Sequence, residues 1–306
     1  MQMSILFTII ALSVIAFLTI LYFIIGYYLA RFLSVPKRVD AAYCRKVDID
    51  KGVIPESIPE LKREHLNIIS YDGSVIHGDY SECPNAKGLI ITAHGYSWTR
   101  EGNVKYARLF YKLGFSVYLY DERGHGENET KYTTMGYKEG KDIASIVSYF
   151  RKIHNKDYLI GIHGESLGAA SIMMALKETD NVDFAIEDCG YSSLEKLLKQ
   201  QIKKMHLSSI FLLPANIALK LFYHYSYKDV EPYKAVASSK VPLLIIHGEK
   251  DSFIPCEDSN DILKARSNGI RREIFKNADH ALSYQSNPER YEKIVNDFVE
   301  DIGKEK

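Results

Sequence analysis

A serine between two glycines is the first group in this sequence that could do covalent chemistry. Gly164-Glu165-Ser166-Leu167-Gly168 matches the pattern G-x-S-x-G, and it lies between a strand-like apolar run and a helix-forming run. The pattern is typical of a tight strand-to-helix turn that exposes a serine Oγ and leaves no room for side chains at the flanking positions. The sequence therefore predicts that Ser166 is a nucleophile.

A serine hydroxyl attacks a carbonyl only when a nearby base takes its proton. Four histidines follow Ser166 in the chain: His206, His224, His247 and His280. The first two fall in a long insertion, and His247 stands at the end of a predicted strand. Only His280 lies in a loop after the last predicted strand, where this topology needs the base. We therefore predict that His280 is the general base.

The base in turn needs an acid that holds its imidazole in one orientation. Asp251 follows closely after the predicted strand that ends at Gly248, at the edge of the sheet where the base is expected. Glu249 is an alternative that lies close to the strand, and Asp258 is an alternative beyond Pro255. The sequence thus predicts a catalytic triad of Ser166, Asp251 and His280.

Two backbone amides are predicted to bind the oxyanion that forms when the serine attacks. The Leu167 amide stands at a helix start beside the serine, and the Tyr96 amide follows Gly95 at the end of another predicted strand. His94 is predicted to be a structural hydrogen-bonding group rather than a second base. Three residues of the turn at 121–126 are predicted to hold loops together: Asp121, Arg123 and His125.

The elements that must position these groups alternate between strands and helices. Apolar runs typical of buried strands occur at residues 88–95, 115–124, 157–164, 182–190, 241–248 and 271–280. Helical patterns separate most of these runs, which predicts one α/β domain with a mostly parallel central sheet and helices on both faces. Asp72-Gly73 predicts an antiparallel hairpin at the start of the domain. In such sheets ligands bind beyond the carboxyl ends of the strands, where the predicted site residues lie.

One insertion, at about residues 191–236, is too long for an ordinary crossover helix. We predict that it is a small helical cap whose apolar underside lines an acyl pocket; the alternative is a packed crossover with an extra helix pair. Five residues share one predicted helical face: Leu194, Leu197, Leu198, Ile202 and Met205. Four lysines point away from that face, and they could also rest against anionic lipid: Lys196, Lys199, Lys203 and Lys204.

The N-terminus carries no charge from Ile5 to Ala30, a run longer than the roughly 20 residues that a membrane-spanning helix needs. We predict a transmembrane anchor at residues 1–30, a connector with Pro36, Pro55 and Pro59 at residues 31–60, and the catalytic domain at residues 61–306. Five basic residues follow the span and none precedes it, so the positive-inside rule predicts a single-pass protein of the cell membrane with a cytoplasmic domain. The alternative is an anchor that exports its enzyme.

Composition excludes several other classes of function. The formal net charge is zero, which disfavours binding to the phosphate backbone of nucleic acid. The four cysteines form no C-x-x-C pair, and neither a zinc-protease motif nor a dinucleotide-binding motif is present. The sequence therefore predicts no metal and no cofactor.

Five motifs in order, AHGYSWTR, YDERGHGEN, GESLGA, HGEKDSFIP and ADH, resemble those of the α/β-hydrolase superfamily. The sequence is most similar to the bacterial single-span hydrolases grouped with the Bem46-like and serine-aminopeptidase-like branches. The resemblance covers roughly residues 65 to 300 and implies an α/β-hydrolase fold. It also implies the triad named above, with the Tyr96 and Leu167 amides as the oxyanion hole. Substrate is not implied, because members include esterases, lipases, thioesterases and peptidases.

These observations predict a membrane-anchored serine hydrolase that cleaves carboxylic esters through an acyl-enzyme. The anchor and the apolar cap favour lipophilic acyl or lysophospholipid-like substrates. A peptidase, an amidase or a thioesterase acting with the same triad is an alternative, and Glu165 or Glu187 could then bind a substrate amino group. A non-catalytic binding scaffold is the alternative from another class.

Overall fold

Eight strands form one sheet in the computed structural model, which describes residues 2–54 and 61–304. Pro55 and Pro59 of the predicted connector lie outside the described residues. The strands in chain order are β1 (Glu64–His65), β2 (Ile68–Ile69), β3 (Val75–Ile76), β4 (Gly78–Ser81), β5 (Gly88–Ala93), β6 (Phe115–Tyr120), β7 (Leu159–Glu165), β8 (Phe184–Asp188), β9 (Leu243–Gly248) and β10 (Ile270–Phe275). The sheet order is β1-β4-β6-β5-β7-β8-β9-β10, and β2 and β3 form a separate hairpin.

The helices of the described residues complete the chain order. They are α1 (Gln2–Ser34), α2 (Ala41–Asp50), α3 (Val104–Lys112), α4 (Tyr137–Ile153), α5 (Leu167–Ala175), α6 (Leu194–Lys204), α7 (Leu212–Ala218), α8 (Pro232–Ser238), α9 (Glu257–Lys264), α10 (Ser283–Ser286) and α11 (Pro288–Lys304). The predicted turn at Asp72-Gly73 joins β2 to β3, and Gly73 has a φ of +84° there.

The six strands from β5 to β10 run parallel, and β1 and β4 pair antiparallel at one edge. Every residue of β5 through β9 is buried, which is why these strands read as continuous apolar runs in the sequence. Helices α3 and α11 pack on one face of the sheet, and α4, α5, α8 and α9 pack on the other. The prediction of an α/β-hydrolase fold with a mostly parallel sheet is confirmed.

The insertion after β8 forms helices α6 and α7, a π-helical turn at Leu219–Tyr223 and then α8. Leu194, Leu197 and Ile202 are buried on the predicted face of α6. Met205 does not belong to that buried face: it follows the end of α6 and is 53% exposed, because the chain turns away there. We use "cap" below for residues 194–229, since α8 packs against the core beneath.

Helix α1 is the one helix of the described residues that is long and apolar enough to cross a membrane. It continues to Ser34, four residues beyond the predicted end of the anchor at residue 30. Residues 2–21 are exposed on all sides, whereas Gly26, Ala30 and Ser34 are buried at a spacing of four. This stripe of small residues lets α1 approach α7 closely, and a Cβ at Gly26 would lie 2.5 Å from Pro214.

The segment that was predicted as a connector contains a helix. Asp40 caps α2 by accepting a hydrogen bond from the Tyr43 amide at 2.7 Å, and Cys44 and Asp48 are buried. Helix α2 packs against the 3₁₀ turn at Arg100–Asn103, which follows the loop after β5. The N-terminal segment is thereby joined to the loop that carries Tyr96.

Candidate active site

Ser166 occupies a strained turn between the central strand β7 and helix α5. Its φ of +57° and ψ of −112° lie in a region that side chains rarely adopt, and its amide donates to the Asp188 carbonyl at 2.8 Å. A Cβ at Gly164 would lie 2.3 Å from the Gly168 carbonyl carbon, and one at Gly168 would lie 2.1 Å from the Ala93 carbonyl oxygen. Both contacts are with backbone, so only glycine allows α5 to approach the sheet so closely.

The structure brings the three predicted side chains into one hydrogen-bonded chain. Ser166 Oγ lies 2.9 Å from His280 Nε2, and His280 Nδ1 lies 2.7 Å from Asp251 Oδ2. Asp251 follows β9 and His280 follows β10, so the carboxyl ends of neighbouring parallel strands supply them. In this arrangement His280 donates to the carboxylate through Nδ1 and accepts from the serine hydroxyl through Nε2.

The two alternative acids are not in contact with His280. Glu249 is exposed at the end of β9. Asp258 is buried and accepts hydrogen bonds from the Ser192 amide at 2.9 Å and its hydroxyl at 2.6 Å. It also pairs with Lys196 at 3.0 Å. Asp251 is therefore the carboxylate that the fold places beside the imidazole.

The Asp251 carboxylate is buried and held from several sides. Its Oδ1 accepts the Phe253 amide at 2.9 Å and the Ile254 amide at 2.7 Å. His247 Nε2 approaches Oδ2 at 3.4 Å and also donates to the Ile254 carbonyl at 2.9 Å. Burial disfavours the charged form, but the hydrogen bonds from His247 and His280 outweigh it and lower the pKa of Asp251. The carboxylate is thus ionised at neutral pH, as a partner of an imidazolium must be.

His247 is a site residue that the sequence analysis considered only as a base and set aside. Burial disfavours protonation, but the hydrogen bond with Asp251 raises the pKa of His247. Its position four residues before Asp251, at the end of a buried strand, was the available signal. A histidine at this position is too far from the predicted last loop to serve as the base for Ser166, whereas it can serve as a partner of the acid.

The loop after β5 lies against the serine from the other side. A Cβ at Gly95 would lie 3.7 Å from Ser166 Cβ, so this loop passes directly beside the nucleophile. In the part of the chain that the structure describes, neither the Tyr96 amide nor the Leu167 amide donates a hydrogen bond. Both are therefore free to bind an oxygen of a substrate next to Ser166.

Two buried histidines fix the shape of that loop. His94 Nε2 accepts the Glu122 amide at 3.0 Å and its Nδ1 donates to the Gly95 carbonyl at 2.8 Å. His125 Nε2 accepts the Ser97 amide at 3.0 Å. Burial lowers the pKa of His94 and lowers that of His125 to about 3, so both remain neutral. This is the structural role that the sequence predicts for both residues.

Arg123 and Asp121 also tie loops together, as predicted. Arg123 pairs with Asp142 at 2.6 Å and with Asp72 at 2.9 Å, which attaches the β2–β3 hairpin to the loop after β6. Asp121 accepts the Arg100 amide at 2.8 Å. These ion pairs are largely buried, so they hold the loops that surround the site rather than contact a substrate.

Behind the serine lies a buried polar layer that the sequence did not reveal. Glu165 Oε2 accepts hydrogen bonds from Lys105 Nζ and from Tyr106 OH, both at 2.6 Å. Ser283 Oγ donates to Asp188 at 3.0 Å on the far side of the same layer. Burial raises the pKa of Glu187 to about 8, and its Oε2 accepts the Gly190 amide at 2.8 Å. Neither Glu165 nor Glu187 is available to bind a substrate amino group, because both are buried and engaged.

The N-terminal segment borders the site. Tyr96 OH donates to the Phe32 carbonyl at 2.9 Å, and the Thr133 amide donates to the Ser34 carbonyl at 2.8 Å. Arg38 donates to the Gly124 carbonyl at 3.1 Å. The end of α1 and the chain after it therefore join the loops around Ser166. The spacing of Gly26, Ala30 and Ser34 was the signal in the sequence for this packing.

Two groups of described side chains bring three metal-ligating atoms within 4.8 Å of one another: His65, His77 and Glu127, and Cys189, Asp251 and His280. The second group contains the Asp251–His280 hydrogen bond. In the first, Arg100 pairs with Glu127 at 2.9 Å, and a cation beside the group disfavours a bound metal.

Known proteins similar to this chain include hydrolases of several kinds. The structure of Pyrococcus furiosus esterase Pf2001 covers 88% of this chain and 98% of its own, with a TM-score of 0.68 and 20% identity. Pyrococcus horikoshii acylaminoacyl peptidase covers 82% of this chain and 42% of its own, with a TM-score of 0.57 and 21% identity. At these identities the two structures establish the fold alone.

The sequence comparisons establish the family. Bacillus subtilis YqkD, an uncharacterized protein, is 30% identical over 274 residues, which are 88% of this chain and 90% of YqkD. Residues 103–305, which include Ser166, Asp251 and His280, match the prolyl oligopeptidase family. The chain is therefore a hydrolase of the α/β-hydrolase superfamily and belongs to the prolyl oligopeptidase family.

Proposed function

We propose that the protein is a membrane-anchored serine hydrolase that cleaves carboxylic esters through an acyl-enzyme. The observation that carries the proposal is the hydrogen-bonded chain from Ser166 to His280 at 2.9 Å and from His280 to Asp251 at 2.7 Å. It starts at a serine in a strained backbone conformation and ends at a buried, ionised carboxylate. A protein that only binds a partner has no need for this arrangement.

The geometry supports a two-step mechanism. Ser166 Oγ attacks the ester carbonyl while His280 Nε2 takes its proton, and Asp251 stabilises the imidazolium that forms. His280 then returns the proton to the leaving alcohol, and an acyl-enzyme remains. Water repeats the sequence on the acyl group, which releases the carboxylic acid and restores the serine. The amides of Tyr96 and Leu167 serve as the oxyanion hole in both steps.

Esters are favoured over peptides by the charges around the serine. An aminopeptidase needs an acidic group that faces the substrate amino terminus, and Glu165 and Glu187 are buried and engaged elsewhere. The apolar cap and the anchor favour lipophilic acyl or lysophospholipid-like esters. Amide or thioester cleavage by the same triad is the alternative, and the likeness to an acylaminoacyl peptidase makes amides the first comparison to test.

Labelling with a fluorophosphonate tests whether Ser166 is an activated nucleophile. We expect the full chain in detergent to be labelled and the Ser166→Ala variant to remain unlabelled. Ser171→Ala is the matched control, because Ser171 is a buried serine of the same turn-and-helix unit whose partners, the Leu167 carbonyl at 3.0 Å and Glu122, lie outside the triad. Absence of labelling in folded wild-type protein would favour the non-catalytic scaffold.

A substrate series tests the preference for lipophilic esters. Rates are measured on p-nitrophenyl esters from acetyl to long-chain acyl groups and on p-nitroanilides of the same acids. We expect kcat/KM to rise with chain length and the esters to react faster than the anilides. A steady fall in kcat/KM from acetyl upward contradicts the lipophilic substrate, and faster anilides establish the amidase alternative.

We propose further that α1 anchors the protein and that the catalytic domain faces the cytoplasm. Five basic residues follow the span: Arg31, Lys37, Arg38, Arg45 and Lys46. Cys256 is partly exposed, so an impermeant thiol reagent reports its side of the membrane. We expect no labelling of Cys256 in intact cells and labelling after lysis, whereas an added thiol in Gln2→Cys is labelled in intact cells. Labelling of Cys256 in intact cells would establish the exported orientation.

A further inference from the structure

We infer that a second part of the protein, besides the anchor, lies in the membrane. This part is the cap tip, which we define as Leu207, Ile210, Leu213 and Ile217. The inference rests on the proposed function, since it takes α1 as the membrane anchor. It adds a lipid contact that holds the cap at the bilayer surface, so that the ester substrate is a lipid drawn from the bilayer.

The length of the exposed part of α1 sets the depth of the cap tip. Residues 2–21 are exposed, and 20 helical residues span about 30 Å, the thickness of the hydrocarbon core. The docked part of α1 begins at Tyr22, whose hydroxyl donates to the Ile210 carbonyl at 2.8 Å. The cap tip therefore meets α1 at the level where the span reaches the headgroups, the depth that tyrosine favours.

The exposed face of the cap tip is apolar. Ile210 is 60% exposed, Leu213 is 61% exposed and Ile217 is 37% exposed. Their spacing of three and four residues puts them on one face, while Leu212 and Ala215 on the opposite face are buried. A helix that is apolar on both faces is usually covered on both faces. In the described chain, α1 and the core cover only one face of α7.

The charges around the cap tip complement anionic lipid headgroups. The sequence from residue 196 to residue 228 contains no Asp or Glu and six lysines: Lys196, Lys199, Lys203, Lys204, Lys220 and Lys228. Lys196 and Lys199 pair with carboxylates outside this stretch, so the other four supply the positive charge. Lys203 and Lys204 end α6 immediately before the tip, and Lys220 follows α7. Lysines at the border of an exposed apolar face are typical of segments that lie in the interface of a membrane with anionic lipids.

The occupant of this face is lipid rather than a soluble protein. The exposed side of the cap tip adjoins the exposed apolar surface of α1, as the Tyr22–Ile210 hydrogen bond and the ring contact of Tyr22 with Phe211 at 5.8 Å establish. The membrane that covers α1 therefore extends over the neighbouring cap tip. A soluble partner would have to displace the lipid at the same place.

Quenching by brominated lipids tests the position of the cap tip. The full-length Leu213→Trp variant is incorporated into phosphatidylcholine–phosphatidylglycerol vesicles that carry bromine on the acyl chains. Ile153→Trp is the control: Ile153 is 59% exposed and ends α4 at the opposite edge of the sheet from Ser166. Both variants retain Trp98, the single native tryptophan, as a common background.

We expect the added fluorescence of Leu213→Trp to shift to the blue and to be quenched, and that of Ile153→Trp to be unaffected. Equal quenching of the two variants overturns the inference. This readout does not depend on hydrolysis, so a protein without esterase activity would refute the proposed function while the quenching still decides the position of the cap tip.

A kinetic test uses Leu213→Asp, which changes an exposed side chain distant from the triad. We expect hydrolysis of an ester lipid in the same vesicles to fall about tenfold, because a carboxylate is disfavoured in the membrane boundary. Hydrolysis of water-soluble p-nitrophenyl acetate should be unchanged. An equal loss on both substrates, or no loss on either, contradicts the inference.

Discussion

The floor and the roof of the active site are held by different forces. The floor is the carboxyl edge of the sheet, where Ser166 N is bonded to the Asp188 carbonyl and Glu165 is paired with Lys105. We call the cap and the docked part of α1 the roof; they share one apolar cluster with Leu167, in which Gly26 packs closely against Pro214. Hydrogen bonds fix the distance between two atoms to a few tenths of an ångström, whereas apolar packing tolerates the exchange of one apolar side chain for another of similar volume.

This difference separates the chemistry of the protein from its choice of substrate. Each polar group of the floor that is buried must keep its partner, since an unpaired buried charge costs several kcal/mol. The roof contains few buried polar groups that need a partner. Its sequence can therefore vary as long as its inner side remains apolar. We therefore expect changes in the floor to abolish turnover or folding and changes in the roof to alter which esters are cleaved.

The largest effect is expected for Gly164→Ala in the floor. Its Cβ would lie 2.3 Å from the Gly168 carbonyl carbon, and neither backbone segment can move without shifting β7 or α5. We expect a loss of at least about 3 kcal/mol in the free energy of unfolding, the upper end of what overpacking costs. Urea unfolding of the purified variant measures this loss.

Gly303→Ala is the control for this change, because a Cβ there meets nothing within 4 Å in the described chain. We expect it to raise the free energy of unfolding by roughly 0.5 kcal/mol, as alanine is a better helix former. An unfolding midpoint of Gly164→Ala equal to that of the wild type would show that the elbow is not as tight as described.

The next effect is expected for Asp251→Asn. An asparagine favours the wrong tautomer of His280, so we expect kcat on p-nitrophenyl butyrate to fall by about 10⁴-fold. Glu249→Gln, at an exposed position two residues earlier, should retain wild-type kcat. A strong loss in Glu249→Gln together with a weak loss in Asp251→Asn would reassign the acid.

A moderate effect is expected for Gly26→Leu in the roof. The larger side chain forces α1 away from Pro214, which opens the roof without touching the triad. We expect KM for long-chain esters to rise roughly fivefold, a change of about 1 kcal/mol at the lower end of overpacking costs. Hydrolysis of p-nitrophenyl acetate should be unchanged.

Ile24→Leu is the matched control for Gly26→Leu, since Ile24 is 45% exposed and lies two residues before Gly26, on the other side of α1. We expect it to leave both substrates unaffected. If Gly26→Leu lowered kcat on every ester, the roof would have to contribute to the chemistry, and the separation of floor and roof would not hold.

The smallest effect is expected for the pH dependence of the free energy of unfolding, through Glu187 in the floor. Burial raises the pKa of Glu187 from 4.5 to about 8, so the native state keeps a proton that the unfolded chain releases near pH 4.5. The contribution of Glu187 to the free energy of unfolding is fully present below pH 4.5 and is lost as the pH rises through 8. We expect Glu187→Gln to remove this part of the decline, measured by urea unfolding between pH 5 and pH 9.

Glu178→Gln, at an exposed position, should leave the pH profile of unfolding unchanged. A profile of Glu187→Gln that declines as steeply as that of the wild type would contradict the raised pKa of Glu187.

The sequence contained most of the information about the floor. The turn at Ser166, the buried strands and the position of His280 after β10 follow from local patterns, because glycines and apolar runs restrict the backbone wherever they occur. These patterns predicted the fold and named the three side chains that the structure brings together. Their roles in a reaction remain a prediction.

The parts that could not be predicted depend on contacts between distant segments. Nothing near Glu165 in the sequence identifies Lys105 as its partner, and nothing near Asp251 identifies the second histidine, His247, as a neighbour of its carboxylate. Helix α2 was missed because its sequence carries mixed charges and a weak apolar pattern. Its packing against Arg100–Asn103 could be seen only once the chain was folded.

The docking of α1 on the cap has a practical consequence for production of the protein without its proposed membrane span. A cut after Ala30, where the charge-free run ends, removes Gly26 and Ala30 and leaves the inner side of α7 without its cover. A cut before Tyr22 keeps that cover. With α1 as the proposed anchor, the border between the spanning part and the hydrolase domain falls within a single helix, between Leu21 and Tyr22.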